Sequence, residues 1–348
     1  MEQEKTKRRP SMNDVAAAAG VSQSTVSLVL NNPDTSGIPV ETRERVYEAV
    51  RTTGYRTNRL ARAMKLDRTD TFGLIGDDIA TTPYANLMIK GAQDTAWQAG
   101  KLLLVVNTGH TDAPDHRQRE LQAVDELVER QVDGLIISAM FHRVMELPPN
   151  LGDTRTVILD AQAPGTIVPS VAPDEYGGAK AATEYLIAHG HTKIAHLASD
   201  YDGVAARVRL QAFKDTLRAA GIPVVEDYIV EIYTNAEGGR AGAERLLDLA
   251  DRPTAVFAFN DQAAMGTYQA AKARGLSVPE DLSVIGFDNQ QLIAAELMPP
   301  LTTMELPHYE MGRWAVEALL AEDPPPGPFP HLMPCALIER DSVREISP

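Results

Sequence analysis

SMNDVAAAAGVSQSTVSLVLNN, residues Ser11 to Asn32, reads as two short helices joined by a tight turn. Ser11 is placed to cap a helix whose first turn holds Asp14, with Val15 as an apolar contact and Ala16 to Ala19 as strong helix formers. Gly20 stops that helix, because glycine tolerates the positive φ of a C-terminal turn, and Val21 behind it can plug the space between the helices. Ser22 restarts a helix as an N-cap, and Val26, Val29 and Leu30 recur at the three-to-four spacing of one apolar face. Gln23, Ser24, Thr25 and Ser27 take the other face, where short hydroxyl and amide groups can meet base edges and phosphates in a major groove. The pattern is that of a helix-turn-helix DNA reader; an ordinary helical hairpin is the alternative this segment alone leaves open.

Downstream, GYRTNRLARAMK at Gly54 to Lys65 places Arg56, Arg59, Arg62 and Lys65 at intervals of three, one basic stripe on a helix, with Leu60 and Met64 on a separate apolar face. A helix this short is not stable alone and is expected to order on a binding partner, such as DNA phosphates with an apolar side chain wedged into the minor groove. A solvated linker helix is the alternative. Charge divides the chain in the same way: residues 1–66 carry a net +4, whereas the whole chain carries −15. An acidic body repels polyanions, so the basic head must carry any DNA work.

The 348 residues exceed one typical domain, and 44% apolar composition without a run of 18 apolar residues predicts a soluble chain with substantial cores and no membrane span. MEQEKTKRRP at the start lacks an apolar signal-peptide region and is expected to be a disordered tail over residues 1–10, and the lone Cys335 fits a reducing, cytoplasmic setting. From Thr71 short apolar runs alternate with amphipathic helices. Strands are expected at Phe72 to Gly76, Leu102 to Val106, Leu135 to Ser138, Val157 to Asp160, Ile194 to Ala198, Ala255 to Phe259 and Ser283 to Phe287, with a helix at Gln118 to Arg130. This alternation predicts parallel sheets covered on both sides, with too many units for one sheet, hence two α/β lobes with a ligand cleft at the carboxyl ends of their strands.

Four segments in order, NDVAAAAGVSQSTVSLVLNN, ETRERVYEAVRTTGYRTNRLARAMK, VDGLII at Val132 to Ile137 and VPEDLSVIGFDN at Val278 to Asn289, resemble the lactose-repressor/galactose-repressor (LacI/GalR) family of bacterial transcription regulators. The resemblance implies an N-terminal all-α helix-turn-helix head (11–57), a hinge helix and linker (58–70), and an effector-binding and dimerisation body (71–348). The body is of the α/β class, two Rossmann-like parallel-sheet lobes like those of periplasmic binding proteins: lobe 1 about 71–173 and 305–323, lobe 2 about 174–304 and 324–348. DNA contacts are implied for Ser11, Ser22, Gln23, Ser24, Thr25, Ser27, Leu28, Asn31 and Tyr55 in the head, and for Asn58, Arg62, Met64 and Lys65 in the hinge. Met64 stands where the family commonly has an intercalating leucine. Leu28 stands where the family often has a polar residue; it can touch a thymine methyl or simply pack.

Effector-contact positions implied by the resemblance fall on Tyr84, Asp160, Arg209, Asn260 or Asp261, and Asp288, most of them just past an expected strand. Carboxylates accepting from vicinal hydroxyls, an arginine fork and one aromatic wall suit a carbohydrate. Helix capping by Asp261 and Asp288 is the competing reading. Ala85 and Ala161 stand where relatives carry further aromatic rings, which favours a sugar or sugar phosphate over a purine. The expected function is a sequence-specific, homodimeric repressor of operator DNA controlled by a small molecule, with no cofactor. The alternatives are a purine or other corepressor-dependent regulator, or a catalytic α/β enzyme with an accessory head. Against the enzyme, no G-x-G-x-x-G follows the first strand, and neither a phosphate loop, an H-E-x-x-H or C-x-x-C metal motif nor a G-x-S-x-G elbow occurs.

Overall fold

Residues 10–31, 37–55, 68–79 and 85–346 are described by the computed structural model, with Asn31 and Ala85 described as backbone only. They fall into two units, 1–69 and 70–348. The expected hinge residues Asn58, Arg62, Met64 and Lys65, the tail before Pro10, and Tyr84 lie outside the described residues.

In the first unit α1 (Met12–Ala19) begins where the Asp14 carboxylate accepts from both the backbone N–H and the hydroxyl of Ser11, each at 2.7 Å. Gly20, at φ 66°, ends it, with Val21 N–H donating to the Ala16 carbonyl at 3.1 Å and Gly20 N–H to that of Ala17 at 3.4 Å. A left-handed residue closes a helix with this pair of bonds, and glycine takes that conformation without strain. α2 (Gln23–Asn31) is capped by Ser22, whose hydroxyl accepts from the Thr25 N–H at 3.1 Å. α3 (Val40–Thr53) closes a small core in which Val15, Val26, Val29 and Val46 are fully buried and Tyr55 packs at the end. Burying each valine stabilises the head by roughly 1.5–3 kcal/mol, which three short helices require.

The second unit holds two six-stranded sheets. In the first, β1 (Thr71–Gly76), β2 (Leu102–Asn107), β3 (Gly134–Val144), β4 (Thr156–Gln162), β5 (Ser170–Pro173) and β11 (His331–Met333) lie in the order β11-β5-β4-β3-β1-β2, all parallel. Phe72 and Leu74 point to one face, under α4 (Ala85–Gln98) and α10 (His308–Leu320), while Ile75 joins α5 (His116–Glu129) on the other. α4 and α10 cross at two glycines: a Cβ on Gly91 would lie 2.0 Å from the Tyr309 carbonyl oxygen, and one on Gly312 2.0 Å from that of Met88.

In the second sheet β6 (Ile194–Ser199), β7 (Ile229–Ile232), β8 (Ala255–Ala258), β9 (Ser283–Asp288), β10 (Thr302–Glu305) and β12 (Ala336–Ile338) lie in the order β12-β10-β9-β8-β6-β7, with only β12 antiparallel. α8 (Ala236–Leu247) and α9 (Asp261–Ala273) cover one face, and α6 (Glu175–Ala188) and α7 (Val204–Ala219) the other, where Phe213 of α7 packs with Phe257 and Phe287 of the sheet.

The chain passes between lobes three times, from β5 to α6, from β10 to α10, and from β11 to β12. The last passage corrects the expectation that residues from 324 onward belong to lobe 2: His331–Met333 pair with β5 in the first sheet, extending its parallel edge before the chain leaves. The first and third passages are joined, since the Asp174 N–H donates to the Met333 carbonyl at 2.7 Å.

Candidate functional site

On the head, Ser22, Gln23 and Ser24 are exposed at the start of α2, and Thr25 and Ser27 are half-buried. The Ser22 hydroxyl lies 2.7 Å from that of Ser24 and 2.8 Å from that of Thr25, so Ser22 organises the helix start beside the exposed Gln23. Leu28 is 46% exposed, which excludes it from the head core and leaves an apolar side chain on the helix surface. Tyr55 is buried and structural, and the Ser11 hydroxyl is engaged by Asp14.

The second unit gathers its buried charge at the carboxyl ends of strands from both sheets. Arg209, on α7 and 3% exposed, donates through Nε to Glu175 Oε2 at 2.6 Å and through Nη1 to the Phe259 carbonyl at 2.7 Å. Its guanidinium lies over the rings of Phe287, 3.7 Å to the centroid, and Phe259, 4.5 Å, and Asp288 Oδ1 is 3.9 Å away. From the first lobe Asp160 stands at the end of β4, 3% exposed, with no hydrogen-bond partner on Oδ1 among the described residues. Burial pushes its pKa well up, and the nearby charge of Glu175 adds to this. Beside it Asp77 accepts from Arg143 Nη1 at 2.8 Å.

Two of the expected carboxylates sit on unusual backbone. Asp160 has φ 58° and Asp288 φ 104°, values that non-glycine residues adopt at a cost of roughly 1–3 kcal/mol, typically where a function requires the side chain to be aimed. Asp288 is held by Gln290, whose amide donates to Oδ2 at 3.0 Å, and burial pushes its pKa up to about 6, against the pull of Arg209.

Asn260 and Asp261 are engaged inside the second lobe. Asn260 caps α9, accepting from the Ala263 N–H at 2.8 Å and donating to the Thr234 carbonyl at 2.9 Å. Asp261, fully buried, accepts from the Thr303 hydroxyl and from the Gln290 N–H, each at 2.6 Å. It therefore reaches the site through Gln290, which it pins and which in turn holds Asp288. Burial and the neighbouring Asp288 both raise the Asp261 pKa.

Asp77, His142, Arg143, Gln162 and Glu175 belong to this cluster and escaped the sequence reading. Asp77 directly follows β1, a strand-end carboxylate outside the positions that the family resemblance implied. His142 and Arg143 were hidden because β3 runs six residues past the expected end at Ser138. Among the described residues no cluster of His, Cys, Asp and Glu could hold a metal ion.

Residues 11–58 match the model of bacterial regulatory proteins of the lacI family, and residues 183–343 that of a periplasmic binding protein-like domain. Over its length the chain is 35% identical to the HTH-type transcriptional repressor CytR of Escherichia coli K12, covering 99% of this chain and 100% of that one. The chain belongs to the lacI family. Among solved structures, the lac repressor dimer bound to operator and the anti-inducer ONPF is 26% identical with a TM-score of 0.78, covering 97% of this chain and 100% of that one. The transcriptional regulator CelR in complex with cellobiose is 29% identical with a TM-score of 0.66, covering 96% and 100%. As a lacI-family member the protein is a DNA-binding transcription regulator, not an enzyme, built from a helix-turn-helix head and a two-lobed effector-binding body.

Proposed function

We propose that this lacI-family protein is a homodimeric, cytoplasmic repressor whose operator grip is set by an uncharged polyhydroxylated ligand, a sugar or a sugar-bearing compound, held between the lobes. One observation carries the ligand class. Four buried carboxyl groups, those of Asp77, Asp160, Glu175 and Asp288, surround two guanidinium groups, those of Arg143 and Arg209. Once Asp77 pairs with Arg143 and Glu175 with Arg209, Asp160 and Asp288 remain as acceptors. Asp160, which burial holds toward its neutral form, exchanges hydrogen bonds with hydroxyls, and neither it nor Asp288 offers the positive charge that would pair with a phosphate, which disfavours the sugar phosphate. A relative of known structure was solved with cellobiose, which supports the same class.

The residues assigned to ligand contact are Asp160, Arg209 and Asp288, together with Tyr84; Asp261 and Asn260 act as positioning residues. Gln23, Ser24 and Leu28 are assigned to base edges, with Asn31 and the hinge residues Asn58, Arg62, Met64 and Lys65 completing the DNA surface. The test is a thermal-shift comparison of neutral sugars with their phosphate esters on the full chain. Neutral sugars are expected to raise the melting temperature by mass action, and Asp288→Asn to remove that rise. Phosphate esters outperforming their parent sugars would refute the assignment.

A further inference from the structure

His142 and Gln162 lie at the carboxyl ends of β3 and β4, and nothing in the proposed contact set uses them. His142 is 6% exposed, and its Nε2 lies 2.9 Å from Gln162 Nε2. The amide N–H donates, so Nε2 accepts and the proton of the neutral ring sits on Nδ1. That Nδ1 is buried without a hydrogen-bond partner among the described residues, as is Asp160 Oδ1. The strand register pairs Arg143 with Ala161 and Val144 with Gln162, and His142 and Asp160 each directly precede the first of these pairs, at the end of the irregular stretch that begins after Ser138. Both feel the charges of Glu175 and Arg209 across the lobes, and a Cβ on Gly203, at the start of α7, would lie 4.0 Å from the His142 carbonyl oxygen.

Buried polar groups are nearly always bonded, so two orphaned atoms toward the carboxyl ends of two neighbouring strands mark a place built for something other than the chain itself. We infer that His142, oriented by Gln162, is a specificity-determining ligand contact. Its Nδ1–H donates to a lone pair of the ligand, a ring oxygen, hydroxyl or carbonyl, while Asp160 accepts from an adjacent hydroxyl or N–H. The pair selects an uncharged ligand that presents an acceptor next to a donor on the edge facing the first lobe. Burial lowers the His142 pKa, which keeps the ring neutral and in this donor form.

The inference rests on the proposed ligand-binding reading of the cleft, and one measurement separates the two. The full chain and its His142→Leu/Gln162→Leu double variant are melted without ligand and then with D-ribose, D-glucose, cellobiose or adenosine. A residue kept for a ligand costs stability in the free protein, so the double variant is expected to melt about 2 °C or more above the parent. It is also expected to need at least about ten-fold more of whichever probe stabilises the parent, with the single His142→Gln variant, which keeps a donor, falling between. A double variant that melts below the parent makes His142 structural and overturns the inference, as does an unchanged probe midpoint. If no probe stabilises the parent, the neutral-sugar reading fails, and the sign of the ligand-free melting shift alone decides for or against His142.

Discussion

Glu175→Gln changes one charge in the buried cluster of carboxyl and guanidinium groups and almost nothing else. The amide oxygen can still accept from Arg209 Nε, now 2.6 Å from Glu175 Oε2, and the side-chain volume is preserved. What changes is that a guanidinium 3% exposed loses its contacting counter-ion. Breaking a buried pair by removing one charge costs about 3–5 kcal/mol. Here Asp288, 3.9 Å from Arg209, remains, and its own raised pKa falls once the repelling Glu175 is gone, so the lower end, about 3 kcal/mol, applies. For a unit of this size the melting temperature should drop by roughly 6–12 °C. Arg209→Met should cost a similar amount, because it leaves Glu175 buried and uncompensated. The double variant should recover much of the loss, since two neutral side chains replace two buried charges. Urea unfolding of the wild type, both single variants and the double variant closes the cycle. A coupling below about 0.5 kcal/mol, within the range of independent sites, would refute the view that this ion pair organises the buried cluster.

Gly312→Ala should destabilise the body by about 2 kcal/mol despite alanine's better helix propensity, because its Cβ would meet the Met88 carbonyl oxygen at 2.0 Å and force α4 and α10 apart; a melting temperature equal to or above wild type would contradict that crossing. His191, 1% exposed and bonded to Thr254 Oγ1 and the Arg344 carbonyl, has its pKa pushed down by burial to about 4. It stays neutral in the folded chain while the unfolded chain takes up a proton below its ordinary value of 6.5, so it withdraws stability as the pH falls from 6.5 towards 4, by up to about 3 kcal/mol. His191→Gln should therefore be less stable than wild type at pH 7, with the gap closing on acidification; a gap independent of pH would refute the neutral, buried assignment. Gln23→Ala should relax base preference at one operator position by about 1–3 kcal/mol in anisotropy titrations against permuted half-sites, whereas a uniform loss across all sequences would make Gln23 a phosphate contact.

The lobes were legible where strands are long and apolar. TVILD and SVIGF announce β4 and β9 because both faces of a central parallel strand are covered, so the run is buried throughout and apolar at its centre. The short strands were not legible: β10 is TTME, and its buried Thr302 is satisfied by Ser342 and the Arg340 segment from distant sequence, a partnership no local pattern reveals. β11 is three residues on a sheet edge and is defined only by its pairing with β5, which is why the third passage between lobes was expected too early. The same limit hid His142 and Arg143. Polar residues normally end a strand on sequence grounds, and here they continue one because a buried site receives them. In the head, by contrast, Ser11, Gly20 and Ser22 carry their structural roles locally, through caps and a left-handed turn, and the sequence states them directly.

The cleft is asymmetric in a way that bears on how a ligand could move it. Second-lobe groups are bonded in advance: Arg209 is fixed by Glu175 and the Phe259 carbonyl, and Asp288 by Gln290, which Asp261 pins in turn. In the first lobe, Asp160 Oδ1 and His142 Nδ1 have no partner among the described residues. On the proposed reading, a ligand seated on the preorganised second lobe gains its remaining hydrogen bonds only when the first lobe comes to it. Each such bond is worth about 0.5–1.5 kcal/mol net. Two of them therefore supply the roughly 1–3 kcal/mol of differential affinity that allosteric coupling typically requires, without any rearrangement inside either lobe. The passages between the lobes are short and bonded to one another at Asp174 and Met333, so closure would act about a defined hinge, and the surplus carboxyls would choose which ligands can drive it.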